Sequence, residues 1–170
     1  MEPKSLKTIK RLTVFFIISL ALSGITAFPL QTELNIMQQH KNLFPEVFQN
    51  WIMQVKEAVD HTDSVVLYGT DWLAFAHLII ASFFIGVYKD PVKNKFIVQI
   101  GIIACLAVFP LAFICGPIRG IPFFHQVIDC CFGIIGLIPL TIIYRKIKQL
   151  ESSEEIHCEE IVNLQLKTNN

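Results

Sequence analysis

The chain is 170 residues long, room for one domain. It is 53% apolar and 16% charged, with a formal net charge of zero; ordinary soluble proteins are about 45–50% apolar and about 25% charged. Too little polar surface remains to cover a soluble core, which excludes a water-soluble globular protein.

Residues 1–11 carry Lys4, Lys7, Lys10 and Arg11 and read as a cytoplasmic N-terminus. Leu12–Leu30 follows without a charge and is long enough for a first transmembrane helix. Lys4 to Arg11, the apolar Leu12–Leu20 and an Ala21-Leu22-Ser23 site also fit a cleavable signal peptide. The apolar run continues through Ile25, Ala27, Phe28 and Leu30, where a processed precursor turns polar, so retention as a span is the expectation.

Residues 31–71 form the one sizeable hydrophilic part, an extracytoplasmic amphipathic helical segment. Pro45 suits a first helical position, where its missing N–H is harmless. After it, Val47, Phe48, Trp51, Ile52, Val55 and Val59 share one face, opposite Glu46, Gln49, Asn50, Lys56, Glu57 and Asp60. A weaker helical pattern runs from Leu34 to Phe44. Two helices this short cannot bury their apolar faces against each other alone. They are expected to lie on the bundle or in the lipid interface as a packing lid, with a partner-binding surface as the alternative. His61 to Ser64 reads as a loop and Val65–Tyr68 as extended chain. Six acids against two bases between Gln31 and Asp71 make this face a poor one for nucleic acid or anionic headgroups.

Trp72–Tyr88 is the second expected span, residues 89–95 a cytoplasmic loop, and Phe96–Cys115 the third span. Residues 116–122 make a tight extracytoplasmic turn, and Phe123–Tyr144 is the fourth span. Residues 145–170 form a cytoplasmic tail whose glutamates predict a helical extension that frays. The four windows are 17 to 22 residues long, and Asp129 is their one charged side chain. A ~30 Å hydrocarbon layer takes about 17–25 such residues. The fold class is therefore all-α, a polytopic membrane helix bundle of four transmembrane helices.

With both termini cytoplasmic, eleven of the fourteen basic residues fall on one side, leaving Lys41, Lys56 and Arg119 on the other. Cytoplasmic segments carry such an excess. Tyr68, Trp72 and Phe123-Phe124 mark one membrane boundary, and Tyr88 and Tyr144 the other. Pro110 and Pro139 read as static bends, because neighbouring helices can satisfy the freed carbonyls. No internal repeat suggests a transporter architecture, and no P-loop supports energy-coupled work.

The stretch GPIRGIPFFHQVIDCC, Gly116 to Cys131, sets Arg119, His125 and Asp129 close together. At ~1.5 Å per residue, His77 and Asp129 each lie roughly 8–10 Å into their spans from the outer boundary, where Asp71 and Arg119 also sit. His125 and Asp129 are four apart and share a helix face. Gly133 and Gly136 extend it and would admit another helix closely. An Asp facing lipid costs about 2.5–3.5 kcal/mol, so these groups are expected to point inward.

The leading reading is a non-enzymatic protein in which Asp71, His77, Arg119, His125 and Asp129 form an architectural cluster. An Arg119–Asp129 or Arg119–Asp71 clamp would be its core. The alternative is a small carrier, or a ligand- or proton-binding protein, using the same groups. Remoter readings are a b-type haem held by His77 and His125, and thiol chemistry. Cys105, Cys115, Cys130, Cys131 and Cys158 contain no C-x-x-C pair, and inside a bundle such residues serve as small apolar fillers. No metal or cofactor is expected. The expected surroundings are the lipid bilayer and a membrane-protein partner or a second copy, with no nucleic acid.

The pieces Asp71-Trp72-Leu73-Ala74-Phe75-Ala76-His77, Lys89-Asp90-Pro91-Val92-Lys93-Asn94 and GPIRGIPFFHQVIDCCFG resemble small four-span inner-membrane proteins of Bacteroidota-type bacteria. The likeness covers about Gly69 to Leu150. It implies a bacterial inner membrane and brings no activity, cofactor or substrate with it.

Overall fold

The protein's structure, a computed structural model, describes residues 4–168, with side chains described through Ser153. It is all-helical: α1 (Lys4–Ala27), α2 (Leu30–Gln39), a 3-10 turn (Lys41–Leu43), α3 (Glu46–Asp60) and α4 (Ser64–Lys89) come first. Then follow α5 (Lys95–Pro110), a π-helical turn (Leu111–Cys115), α6 (Gly116–Ile118) and α7 (Phe123–Thr168). Four helices, Lys4–Ala27, Ser64–Lys89, Lys95–Ile118 and Phe123–Ser153, are long and apolar enough to cross a membrane. The chain is an integral, multi-pass membrane protein. Two compact units divide it: one holds the chain up to Ile17 and from Ser82 onward, the other is Ile18–Ala81.

In the first unit the core sits at the cation-rich end. Ile9 of α1, Phe84 and Val87 of α4, Val98 of α5, and Leu140, Ile143 and Ile147 of α7 are almost wholly buried together. The α7 members recur at spacings of three and four, the period of one helix face. Gly101 lets the layers close, since a Cβ there would lie 3.0 Å from both Leu140 and Phe84. Charged groups frame this core. Lys95 Nζ donates to both carboxylate oxygens of Glu151 at 2.7 and 2.8 Å. Lys10 lies over the Tyr88 ring and Lys148 over the Tyr144 ring, at 5.7 and 5.4 Å from the centroids.

The α4–α5 turn is closed by side chains. Asp90 Oδ1 accepts from the Lys93 N–H at 3.1 Å, and Lys93 Nζ lies 3.2 Å from the same carboxylate. Hydrogen bonding from the Lys93 backbone, then from its side chain, holds the Asp90 carboxyl below its usual range. Asn94 Nδ2 donates to the carbonyls of Gly86 and Asp90 at 3.1 and 2.9 Å, satisfying the end of α4. A Cβ on Gly86 would lie 3.0 Å from Asn94 Oδ1.

In the second unit α2 and α3 lie against each other and bury Leu34 and Ile52. Much of their apolar surface is not covered by this contact, since Ile36, Leu43, Val47 and Met53 stay exposed. Pro45 stands one position earlier than expected, at the N-cap of α3. Val65–Tyr68 is helical rather than extended. Asp63 starts α4 by accepting the Val65 N–H on Oδ1 at 2.9 Å and the Val66 and Leu67 N–H groups on its carbonyl. The expected helical extension of the tail is present, with α7 running as helix to Thr168.

Candidate functional site

The segment between α5 and α7 is built around the absence of side chains and of N–H groups. Pro110, the last residue of α5, has no N–H to give the Leu106 carbonyl, and Leu111–Cys115 then winds as a wider π turn. Pro117 sits in the first turn of α6, where the missing donor costs nothing. Gly120 takes φ +69°, a left-handed conformation. Its N–H bonds the Pro117 carbonyl at 3.1 Å, while the Ile121 N–H bonds the Gly116 carbonyl at 2.9 Å. These two bonds make a Schellman close.

Gln126 locks the fold-back. Only 5% exposed, it donates from Nε2 to the Ile121 carbonyl at 2.8 Å. Its stem lies over Gly116, where a Cβ would come within 2.7 Å of Cδ and 2.8 Å of Cγ. Sequence reasoning passed over Gln126, since a single amide among apolar residues carries no periodic signal.

This turn delivers His125 and Asp129 to one face of α7. His125 Nε2 lies 3.9 Å from Asp129 Oδ1, and their side chains are 40% and 44% exposed. They do not point into an enclosed interior. Arg119 is exposed, and among the described residues it forms no ion pair with Asp129, whose partner is His125. The Arg119 backbone instead donates to the Cys115 and Gly116 carbonyls. Gly133 and Gly136 sit where α5 passes α7: a Cβ on Gly133 would lie 3.0 Å from the Cys105 carbonyl oxygen, and one on Gly136 2.9 Å from Cys105 Sγ.

Asp71 and His77 belong to the second unit, on α4. His77 Nδ1 is 2.8 Å from the Leu73 carbonyl, which accepts from it when that nitrogen carries the hydrogen. One turn of α1 meets this stretch closely, because a Cβ on Gly24 would lie 2.7 Å from the Ala74 carbonyl oxygen and 3.0 Å from His77 Cβ. Beyond that approach α1 ends, and Phe28 closes a groove of about 290 Å³ with Tyr68, Asp71, Trp72 and Phe75. The spacing 68, 71, 72, 75 is one helix face, a pattern readable in the sequence once α4 is known to start at Ser64.

Cys105, Cys115, Cys130 and Cys131 are free thiols. The Cys158 side chain lies outside the described residues. Among the described residues no group of three or more His, Cys, Asp or Glu gathers to hold a metal ion. No family model, curated protein or solved structure matches the chain.

Proposed function

We propose that this chain is a non-enzymatic protein of the bacterial inner membrane, with both termini cytoplasmic, that works by lateral association with a second copy. The α7 face bearing His125 and Asp129 is the contact. The observation that carries the reading is their 3.9 Å pair, with both side chains about two-fifths exposed within the first turns of an apolar helix. A carboxylate turned to acyl chains costs about 2.5–3.5 kcal/mol. Its intrahelical partner His125 stands 3.9 Å away, beyond hydrogen-bond distance. A two-fold arrangement brings His125 of each copy toward Asp129 of the other, so each carboxylate gains a partner from across the contact. The one-sided distribution of Lys and Arg supports the orientation, and the resemblance over Gly69 to Leu150 supports the bacterial membrane.

The test is subunit counting by single-molecule photobleaching of the labelled full chain in liposomes, across a range of protein-to-lipid ratios. Wild type should form dimers. Asp129→Asn and His125→Ala should each need about tenfold higher density to do so, equivalent to about 1.4 kcal/mol. A wild type that stays monomeric at every density would overturn the reading.

A further inference from the structure

We infer that the groove between Phe28 and the first turns of α4 is a binding site for an organic ammonium group, a primary or quaternary amine of headgroup size. Its recognition chemistry would be four aromatic walls around one carboxylate. Tyr68, Asp71, Trp72 and Phe75 project from a single face of α4, and Phe28 supplies the opposite wall. The rings are set edge to face: Tyr68 and Trp72 lie 6.0 Å apart at 81°, Trp72 and Phe75 6.3 Å apart at 89°. All three rings line the groove, and aromatic faces attract cations lying within about 6 Å of the centroid.

Asp71 supplies the full charge. It is half-buried, and among the described residues its carboxylate has no hydrogen bond or ion pair. A ligand that brings a positive charge would meet this carboxylate and the ring walls together. The surrounding segment reinforces the sign, with six acids and two bases from Gln31 to Asp71. A phosphate or carboxylate ligand meets the wrong field. A hard divalent ion would want about six oxygen ligands, and this groove offers one carboxylate and a phenol.

The groove's volume is at the small end of ligand sites, which fits a trimethylammonium or an aminoethyl group rather than a larger molecule. Asp71 and Phe28 also border a second groove, lined by Gln31, Thr32 and Thr70 among others. The polar remainder of an amino alcohol would therefore find hydroxyl and amide partners beside its ammonium. The same chemistry is carried by a free amine and by a zwitterionic lipid headgroup, and the position of Asp71 beside the apolar window Trp72–Tyr88 is compatible with both. This proposal uses none of the residues of the α7 contact, and either can fail without the other.

Trp72 is its own reporter. In a Trp51→Phe background it is the one remaining tryptophan. The full chain would be reconstituted in phosphatidylglycerol vesicles, which contain no amine, and titrated with choline chloride against sodium chloride at equal ionic strength. A second series would replace part of the phosphatidylglycerol with phosphatidylethanolamine or phosphatidylcholine. A saturable change in Trp72 emission with choline and not with sodium is expected for a free amine. A change that follows the amine-lipid fraction alone identifies the headgroup. In either case Asp71→Asn should weaken the response at least tenfold with helix content unchanged by circular dichroism. Should Asp71→Asn not fold, Phe28→Leu and Phe75→Leu carry the same expectation. No saturable response to any amine, or a response that survives all of these substitutions, would overturn the proposal.

Discussion

The turn after α4 and the turn before α7 are closed by the same device, a carboxamide laid across a glycine: Asn94 over Gly86 and Gln126 over Gly116. What surrounds them differs. Around the first lie the buried cluster of Ile9, Val87, Val98 and Ile147, the Lys95–Glu151 bond and two cations over tyrosine rings. Around the second, Ile118 and Phe123 are 76% and 70% exposed, and Arg119 stands clear of any ion pair among the described residues. A local lock thus fixes the path of the backbone at both ends, but the large buried apolar cluster lies at the first. The membrane end that carries His125 and Asp129 is held in shape while its surface stays available.

The widest gap between the two ends should appear on truncating apolar side chains. Leu140→Ala should cost about 2–5 kcal/mol, because Leu140 is 0% exposed and its removal leaves a cavity. Phe123→Ala should change stability by less than about 0.5 kcal/mol. Denaturant unfolding in a fixed lipid or detergent system measures both, and equal losses would erase the contrast.

Next in size is the lock itself. Gly116→Ala should cost about 1–3 kcal/mol, since its Cβ collides with a Gln126 side chain that cannot swing away without breaking its bond to Ile121. Gly86→Ala is expected to fall within about 1 kcal/mol of neutral, because the helical gain of Ala over Gly offsets a smaller push on Asn94. A double-mutant cycle of Gly116→Ala with Gln126→Ala should show the pair less harmful than the sum of the two. Additivity would mean that Gln126 does not hold the turn.

A smaller effect is expected at the packed end. Glu151→Gln should cost at most about 1 kcal/mol, because both partners of the Lys95 bond are a quarter to a third exposed. A larger loss in the same unfolding measurement would place this bond among the main supports of the first unit.

Smallest is a pH effect confined to the α4–α5 turn. The Asp90 carboxyl is held below its ordinary value of 3.8, so its ionised form favours the folded turn. That contribution is complete above 3.8 and fades as pH falls through the lower folded value. Asp90→Asn should remove this acid sensitivity, read as a shallower fall of melting temperature with pH between about 4 and 2.

The spans were legible because the bilayer imposes a length and a composition that few residues violate. The amphipathic face of α3 was legible for the related reason that Val47, Trp51 and Val55 repeat at helical spacing. The start of α4 was not, because Asp63-Ser64 reads equally as a loop and as a helix cap until the chain on both sides is placed. Lys95 and Glu151 are 56 residues apart, and no local pattern joins them. Asp71 was legible as an unusual charge, yet its neighbours Tyr68 and Trp72 read as a boundary marker. Their common face with Phe75 emerges only when the helix runs through them. Gln126 and Asn94 act through one hydrogen-bonded amide each, and single contacts leave no trace in composition.

Helix α7 has 46 residues and no interruption. At ~1.5 Å per residue it measures about 69 Å, against a hydrocarbon layer of ~30 Å. It is stepped in the packed layer at Leu140, Ile143 and Ile147, and its length is more than twice what that hydrocarbon layer takes. His125 and Asp129 thus share one continuous spiral with Glu151 at the packed end, missing the rung that Pro139 cannot supply.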